Sequence, residues 1–208
     1  MTRRYELKKR AERLRETRDR IVEAAVELHT TLGPARTTVS AIAERAGIER
    51  KTFYRHFPEP DAIFEACGNH FRARNPPPDP QAWGSIDDPE QRLRCALEQC
   101  YGYYRRNQQL MANVLRDREL GLPVGEGFLR HRAAATKALV RGFDVDRGRR
   151  RELGAALELA LDFHTWQTLA RAGLSDGQAV ELTTALVRAA LAARRRAGAH
   201  RQRRGSRS

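Results

Sequence analysis

Between Arg50 and His56, about two helical turns, the sequence gathers three cations (Arg50, Lys51, Arg55), two hydroxyls (Thr52, Tyr54) and an imidazole (His56). Arginine and lysine donate to guanine O6 and N7, threonine meets a base edge or a thymine methyl, and tyrosine hydroxyls reach phosphate oxygens. Such a set suits a nucleic-acid duplex. Nothing elsewhere offers comparable chemistry. His29, His56, His70, His131, His164 and His200 lack metal-ligand spacing, and Cys67, Cys95 and Cys100 form no Cys-x-x-Cys pair. No Gly-rich phosphate loop occurs, and no Ser, Cys or carboxylate pair sits in a catalytic motif. No metal, cofactor or catalytic residue is expected, and the three thiols read as reduced core residues.

To present that face, Phe53 and Phe57, four residues apart, must turn inward on a short helix from about Glu49 to His56. A preceding helix is marked by Thr37 or Thr38 as N-cap and by Val39, Ile42, Ala43 and Ala46 as its apolar side. Gly47 breaks it and Ile48 fills the angle, so residues 37–57 read as a helix-turn-helix. Pro58 closes the second helix. Asp61 opens another that carries Ile63, Phe64, Cys67 and Phe71. Upstream, Leu7, Ala11 and Leu14 continue into Ile21, Ala25, Leu28 and Leu32 at helical spacing, with Arg18 a charge inside the seam. One long helix fits this, and so does a second start capped by Thr17. Gly33-Pro34 ends the segment.

The run Thr37-Thr38-Val39-Ser40-Ala41-Ile42-Ala43-Glu44-Arg45-Ala46-Gly47-Ile48, followed by Thr52-Phe53-Tyr54-Arg55-His56-Phe57, resembles the signature of the TetR (tetracycline repressor) family of bacterial transcription factors. The resemblance covers residues 17–72. It implies that Thr38 caps the first helix of the motif and offers its N-terminus to a phosphate. Arg50, Lys51 and Thr52 become base readers, Tyr54 and His56 phosphate holders, and Gly47 the turn; Ser40 and Arg55 complete the DNA-binding set. The motif's core is then Ile42, Ala43, Ile48, Phe53 and Phe57. Two positions depart from the pattern. Pro60 stands where the family commonly has a backbone-touching lysine, and Glu49 replaces a small polar cap. The acidic side chain suits the helix dipole and can accept from cytosine N4, but it repels phosphate. The resemblance further implies a homodimer, formed by pairing the last two long helices of each subunit. It also implies a small-molecule effector pocket beyond the DNA-binding helices.

The remaining sequence fits an all-α chain, which the resemblance divides into an N-terminal three-helix DNA-binding domain with the helix-turn-helix and a larger helical C-terminal domain for ligand binding and dimerisation. Apolar spacing is helical almost throughout, and no alternating stretch suggests a sheet. The prolines of residues 75–80 read as a stiff connector. Beyond it, helices are expected near 88–106, 107–118, 126–142, 148–172 and 176–196. The expected domains are a basic extension (1–16), the DNA-binding domain (17–60), the ligand-binding and dimerisation domain (61–196) and a disordered basic tail (197–208). Among helices a pocket should be apolar with a few polar groups. Trp83, Tyr101, Tyr104, Met111, Phe128, Phe163, His164 and Trp166 are the candidates, with plain core as the competing reading of each.

The net charge of +13 sits at the ends. Residues 1–20 hold nine Lys and Arg against four Asp and Glu, and residues 194–208 hold seven against none. Basic ends of this kind contact nucleic acid by displacing counterions, or simply stay solvated. The extension's Arg3, Arg4, Lys8, Lys9, Arg10, Arg13 and Arg15 are expected to reach along the minor groove or backbone beside the site. No apolar run approaches the ~18 residues of a membrane span, and no secretory signal is read, so a cytoplasmic location without membrane contact is expected. The function expected is that of a regulator, a repressor releasing a palindromic operator on binding an effector. The alternatives are a non-specific nucleic-acid-binding protein driven by its basic ends and an all-helical enzyme.

Overall fold

The computed structural model describes residues 2–205, with side chains over residues 5–192. The side chains of Arg3, Arg4 and the basic tail therefore lie outside what is described. Among the described residues there are ten α-helices and two short 3₁₀ turns, and no strand. Two compact units form, one from Met1–Pro76 with Asn107–Gly127 and the other from Pro77–Arg106 with Phe128–Ser208. The chain passes between them three times, inside the proline run, after Arg106 and after Gly127. The first unit extends past residue 60, where the sequence reading drew a boundary, and takes in the helices α4 and α6 described below.

In the first unit, α1 (Thr2–Thr31) is one continuous helix. Thr17 does not start a new one: its hydroxyl donates to the Arg13 carbonyl one turn back, at 2.9 Å. Gly33 ends the run at φ 95°, a left-handed conformation that favours glycine. A 3₁₀ turn (Pro34–Arg36) leads to α2 (Val39–Arg45), α3 (Arg50–His56) and α4 (Ala62–Arg74). Ile21, Val22, Ala25 and Leu28 of α1 meet Ile42, Ala46, Phe53, Phe57, Ile63 and Cys67 in one buried cluster. Burial pushes the Cys67 thiol up to about 12, which keeps it protonated and inert.

Helix α6 (Gln108–Glu119) completes this unit at the C-terminal end of α1. The last carbonyls of a helix have no partner within it. Here Asn113 Nδ2 donates to the Thr30 carbonyl at 2.8 Å and to that of His29 at 3.3 Å. The buried Asp117 carboxylate accepts the Ala35 N–H at 2.8 Å and is balanced by Arg116 Nε at 2.7 Å. The entrance to the helix-turn-helix is thus fixed by side chains more than eighty residues away. His29 is buried against the Phe64 ring, 5.7 Å between centroids, and its Nε2 has no partner. Burial lowers its pKa to about 4, against an opposing pull from Asp117.

In the second unit, α5 (Pro89–Arg106), α7 (Glu126–Val140), α8 (Arg147–Ala160), α9 (Phe163–Arg171) and α10 (Asp176–Gly205) surround a core that includes Trp83, Leu97, Tyr101, Leu139, Leu157 and Trp166. The single helix expected over 148–172 is in fact two. The break at Leu161-Asp162 is chemically specified. Asp162 caps α9, its carboxylate accepting from His164 N at 2.8 Å and Thr165 N at 3.4 Å, and it also pairs with Arg132. The carbonyls stranded at the end of α8 are met by tyrosines of α5: Tyr101 donates to Ala160 O at 2.8 Å and Tyr104 to Leu161 O at 2.6 Å. Helix α10 packs on α8 and α5, and its backbone continues to Gly205, into the segment expected to be a disordered tail. Cys100 is buried, as expected of a core thiol, whereas Cys95 is only half-buried.

Candidate nucleic-acid interface

Thr38, rather than Thr37, caps α2: its hydroxyl oxygen accepts the Ala41 N–H at 3.1 Å, while Thr37 donates to the Gly33 carbonyl at 2.8 Å. The helix ends in a left-handed Gly47, φ 64°. Gly47 N–H bonds to the Glu44 carbonyl at 3.1 Å and Ile48 N–H to that of Ala43 at 3.0 Å. This nested pair of bonds is the αL stop that glycine makes possible. It turns the chain within three residues and seats Ile48 half-buried in the angle.

Helix α3 then lies with Phe53 and Phe57 inward, 0% and 1% exposed, their rings 5.4 Å apart. Arg50, Lys51, Tyr54 and Arg55 are exposed, and Thr52 and His56 half-buried. The two phenylalanines bury the apolar side of the helix and leave the side chains of Arg50, Lys51, Tyr54 and Arg55 in solvent. His56 Nε2 is buried and without a partner. Burial first, then the neighbouring Arg55 and Arg18 cations, lowers the pKa of this ring. The shift favours the neutral imidazole. Glu49 stands at the N-cap position in extended backbone without bonding the helix through its side chain. Its carboxylate instead holds Lys51 Nζ at 2.7 Å, both groups largely in solvent. An exposed pair of this kind is worth at most about 1 kcal/mol, so Lys51 is pre-oriented rather than consumed. Ser40 and Thr38 are exposed at the start of α2.

The charge that interrupts the apolar seam of α1 has a partner that the sequence did not announce. Arg18 Nη1 donates to the His56 carbonyl at 2.9 Å, and the guanidinium sits 4.2 Å from the centroid of the Phe57 ring. It closes the C-terminal end of α3, where cations are favoured and carbonyls are unpaired. The visible signal was its position: an arginine in line with leucines and alanines needs a structural reason. Asn113 and Asp117, which fix the entrance to the motif, carried no such signal.

The candidate pocket residues are dispersed. Met111 is buried in the first unit and the others belong to the second, where His164 is exposed and Phe128 half-buried. Tyr101, Tyr104, Phe163 and Trp166 form one aromatic cluster, Tyr104 lying edge-on to Phe163 and Trp166. Their polar tips are engaged. The Trp166 indole N–H donates to Asp176 Oδ1 at 2.9 Å, and that of Trp83 to Gln99 Oε1, also at 2.9 Å. No cluster of three or more metal-ligating side chains occurs among the described residues, and none of the described helices is long and apolar enough to cross a membrane.

Residues 21–67 match the family model of the bacterial regulatory proteins of the tetR family. Over 54 residues the chain is 39% identical to the HTH-type transcriptional regulator TcmR of Streptomyces glaucescens, a match covering 26% of this chain and 24% of that protein. The chain thus matches about a quarter of the length of this curated relative. The fold is similar to that of a TetR-like transcriptional regulator from Rhodococcus sp. RHA1, with TM-score 0.60, 19% identity, and 85% and 96% of the two chains covered. It is also similar to a putative fatty acid metabolism regulator of Clostridium perfringens, with TM-score 0.56, 16% identity and 81% and 96% covered. The helix-turn-helix with its outward cations and the match over residues 21–67 agree: this segment is a helix-turn-helix domain of the type found in the tetR family of bacterial regulatory proteins, carried in an all-helical fold.

Proposed function

We propose that this regulator is a repressor that holds a palindromic operator as a homodimer and releases it when a small molecule binds the second unit. The observation that carries the DNA-binding half is the face of α3. Two buried phenylalanines leave Arg50, Lys51 and Thr52 free to read base edges in the major groove, while Tyr54, Arg55, Ser40 and Thr38 meet the phosphates on either side. His56 contributes a neutral ring near the backbone. Glu49 yields its hold on Lys51 to guanine, or accepts from a cytosine N4 beside it.

Dimerisation through α8 and α10 is supported by what these helices leave in solvent. Leu159 of α8 and Leu182 and Leu186 of α10 are 61%, 41% and 55% exposed, and the two helices pack on each other. A second copy laid against this face would cover the leucines by self-complementary packing. The two α3 helices would then face half-sites about one helical turn, or a multiple of one, apart. The effector half rests on the aromatic-rich interior of the second unit and on the family. Such a protein works where the chromosome is, in the cytoplasm.

Binding to a duplex containing a palindrome from the region upstream of the protein's own gene, compared with a random duplex of equal length at fixed salt, tests the reading. A preference of ~10³-fold or more is expected, lost in Lys51→Ala/Tyr54→Ala while the fold is kept. Equal affinity for both duplexes would assign the protein to non-specific binding instead. Sedimentation should give about twice the 23.7 kDa of one chain.

A further inference from the structure

Helix α1 is longer than the unit it serves. From Tyr5 to Arg20 none of its residues is buried, and the first buried one is Ile21. Tyr5, Leu7 and Leu14 are 65%, 60% and 44% exposed. An unsupported helical stretch of this length is marginal in water, so a partner that binds it also stabilises it. Between Tyr5 and Arg18 there are six cations, Lys8, Lys9, Arg10, Arg13, Arg15 and Arg18, against three carboxylates. The stretch begins where Arg18 bonds the His56 carbonyl and covers the Phe57 ring, so it leaves the unit beside the C-terminal end of the recognition helix α3.

We infer that α1 from Tyr5 to Arg18 is a second duplex-binding element, laid along the phosphate backbone beside the half-site and held in register with α3 by Arg18. This rests on the operator-binding reading above and adds a direction to it. At about 100° per residue, Arg15 and Lys8 lie about 60 to 80° from the direction of Arg18 on one side, and Arg10 about 80° on the other, all on the half nearest α3. Lys9 and Arg13 point about 140 to 180° away from it. The first pair meets the phosphates and the second faces solvent. The ion pair from Lys8 Nζ to Glu12 Oε1, 3.9 Å between two exposed groups, is too weak to compete with a phosphate. The duplex takes precedence over a membrane surface because the stretch is continuous with the part of α1 that shares a buried core with the helix-turn-helix, and is tied to α3 by the Arg18–His56 hydrogen bond.

Two variants of the full chain with equal charge change test this: Lys8→Gln/Arg15→Gln and Lys9→Gln/Arg13→Gln. All four positions are exposed, so both variants should melt as the wild type does. Operator affinity is measured from about 50 to about 200 mM salt, where each phosphate contact contributes about 0.9 to the slope of log affinity against log salt. The first variant should make the slope shallower by up to about 3.6, from two contacts per subunit in a dimer, and lose backbone protection flanking the half-sites in a hydroxyl-radical footprint. The second should change the slope by less than half as much. Equal changes for the two variants, or an unaltered flank in the first, overturn the inference. So does a first variant that keeps the wild-type slope yet no longer binds mixed phosphatidylcholine and phosphatidylserine vesicles, which would assign the stretch to a membrane surface. A wild type with no preference for the palindrome sinks the operator reading itself, whereas intact preference with an unchanged slope sinks only the arm.

Discussion

The exposed face of α3 and the aromatic cluster of the second unit use similar residues to opposite ends. In α3 the tyrosine, threonine and arginine groups project into solvent from a base of two phenylalanines. In the cluster, Tyr101 and Tyr104 spend their hydroxyls on the carbonyls of Ala160 and Leu161, and Trp166 its indole N–H on Asp176. Buried polar groups must be paired, and a paired group has little left for a ligand. On the proposed function, the first surface would meet a duplex as it stands, whereas an effector entering the second would have to insert beside bonds already made or exchange them. Binding capacity thus follows from which polar atoms remain unspent rather than from residue type.

The largest expected effect breaks the base of the first surface. Phe53→Ala should cost about 3 to 5 kcal/mol of stability by emptying a fully buried site, measured by urea denaturation, and should take DNA binding with it. Next comes His29, a buried polar group of the first unit that has no partner. Its pKa of about 4 in the fold lies below the ~6.5 of an unfolded histidine, so between these values the unfolded chain binds the extra proton. Its contribution is therefore complete above pH 6.5 and is lost as pH falls towards 4, by about 3 kcal/mol. The same denaturation series in His29→Gln should lack that part of the slope.

Three smaller changes sharpen the contrast. Tyr104→Phe leaves the Leu161 carbonyl without its donor and should cost about 1 to 2 kcal/mol, with operator affinity unchanged under conditions where the protein is folded. Thr38→Ala removes the α2 cap and should cost about 1 kcal/mol. Smallest in stability is Tyr54→Phe, an exposed hydroxyl whose loss should shift unfolding by less than about 0.5 kcal/mol yet weaken operator binding several-fold. Were Tyr104→Phe to weaken DNA binding and Tyr54→Phe to destabilise the fold, the division between spent and unspent groups would be wrong.

The geometry of the helix-turn-helix was legible because it is local. Thr38, Gly47, Phe53 and Phe57 act within one or two turns of their own positions, where capping, αL stops and i, i+4 burial obey short-range rules. The helix expected over 148–172 failed for the opposite reason. Apolar periodicity runs through Leu161, and only the pairing of Asp162 with the start of α9, together with hydroxyls arriving from α5, makes a break there favourable. Among the candidate pocket residues, aromatic type did not tell the exposed His164 from the sealed Trp166.

By itself the sequence determined the all-helical class, the position and inward face of the recognition helix, and the concentration of charge at the ends, since each depends on neighbours along the chain. Only the tertiary structure decided what Arg18 is for, which residues of α6 fix the entrance to the motif, and which aromatic hydroxyls are already used. Those outcomes join residues tens of positions apart, and a hydrogen bond between distant segments leaves no periodicity behind in the sequence.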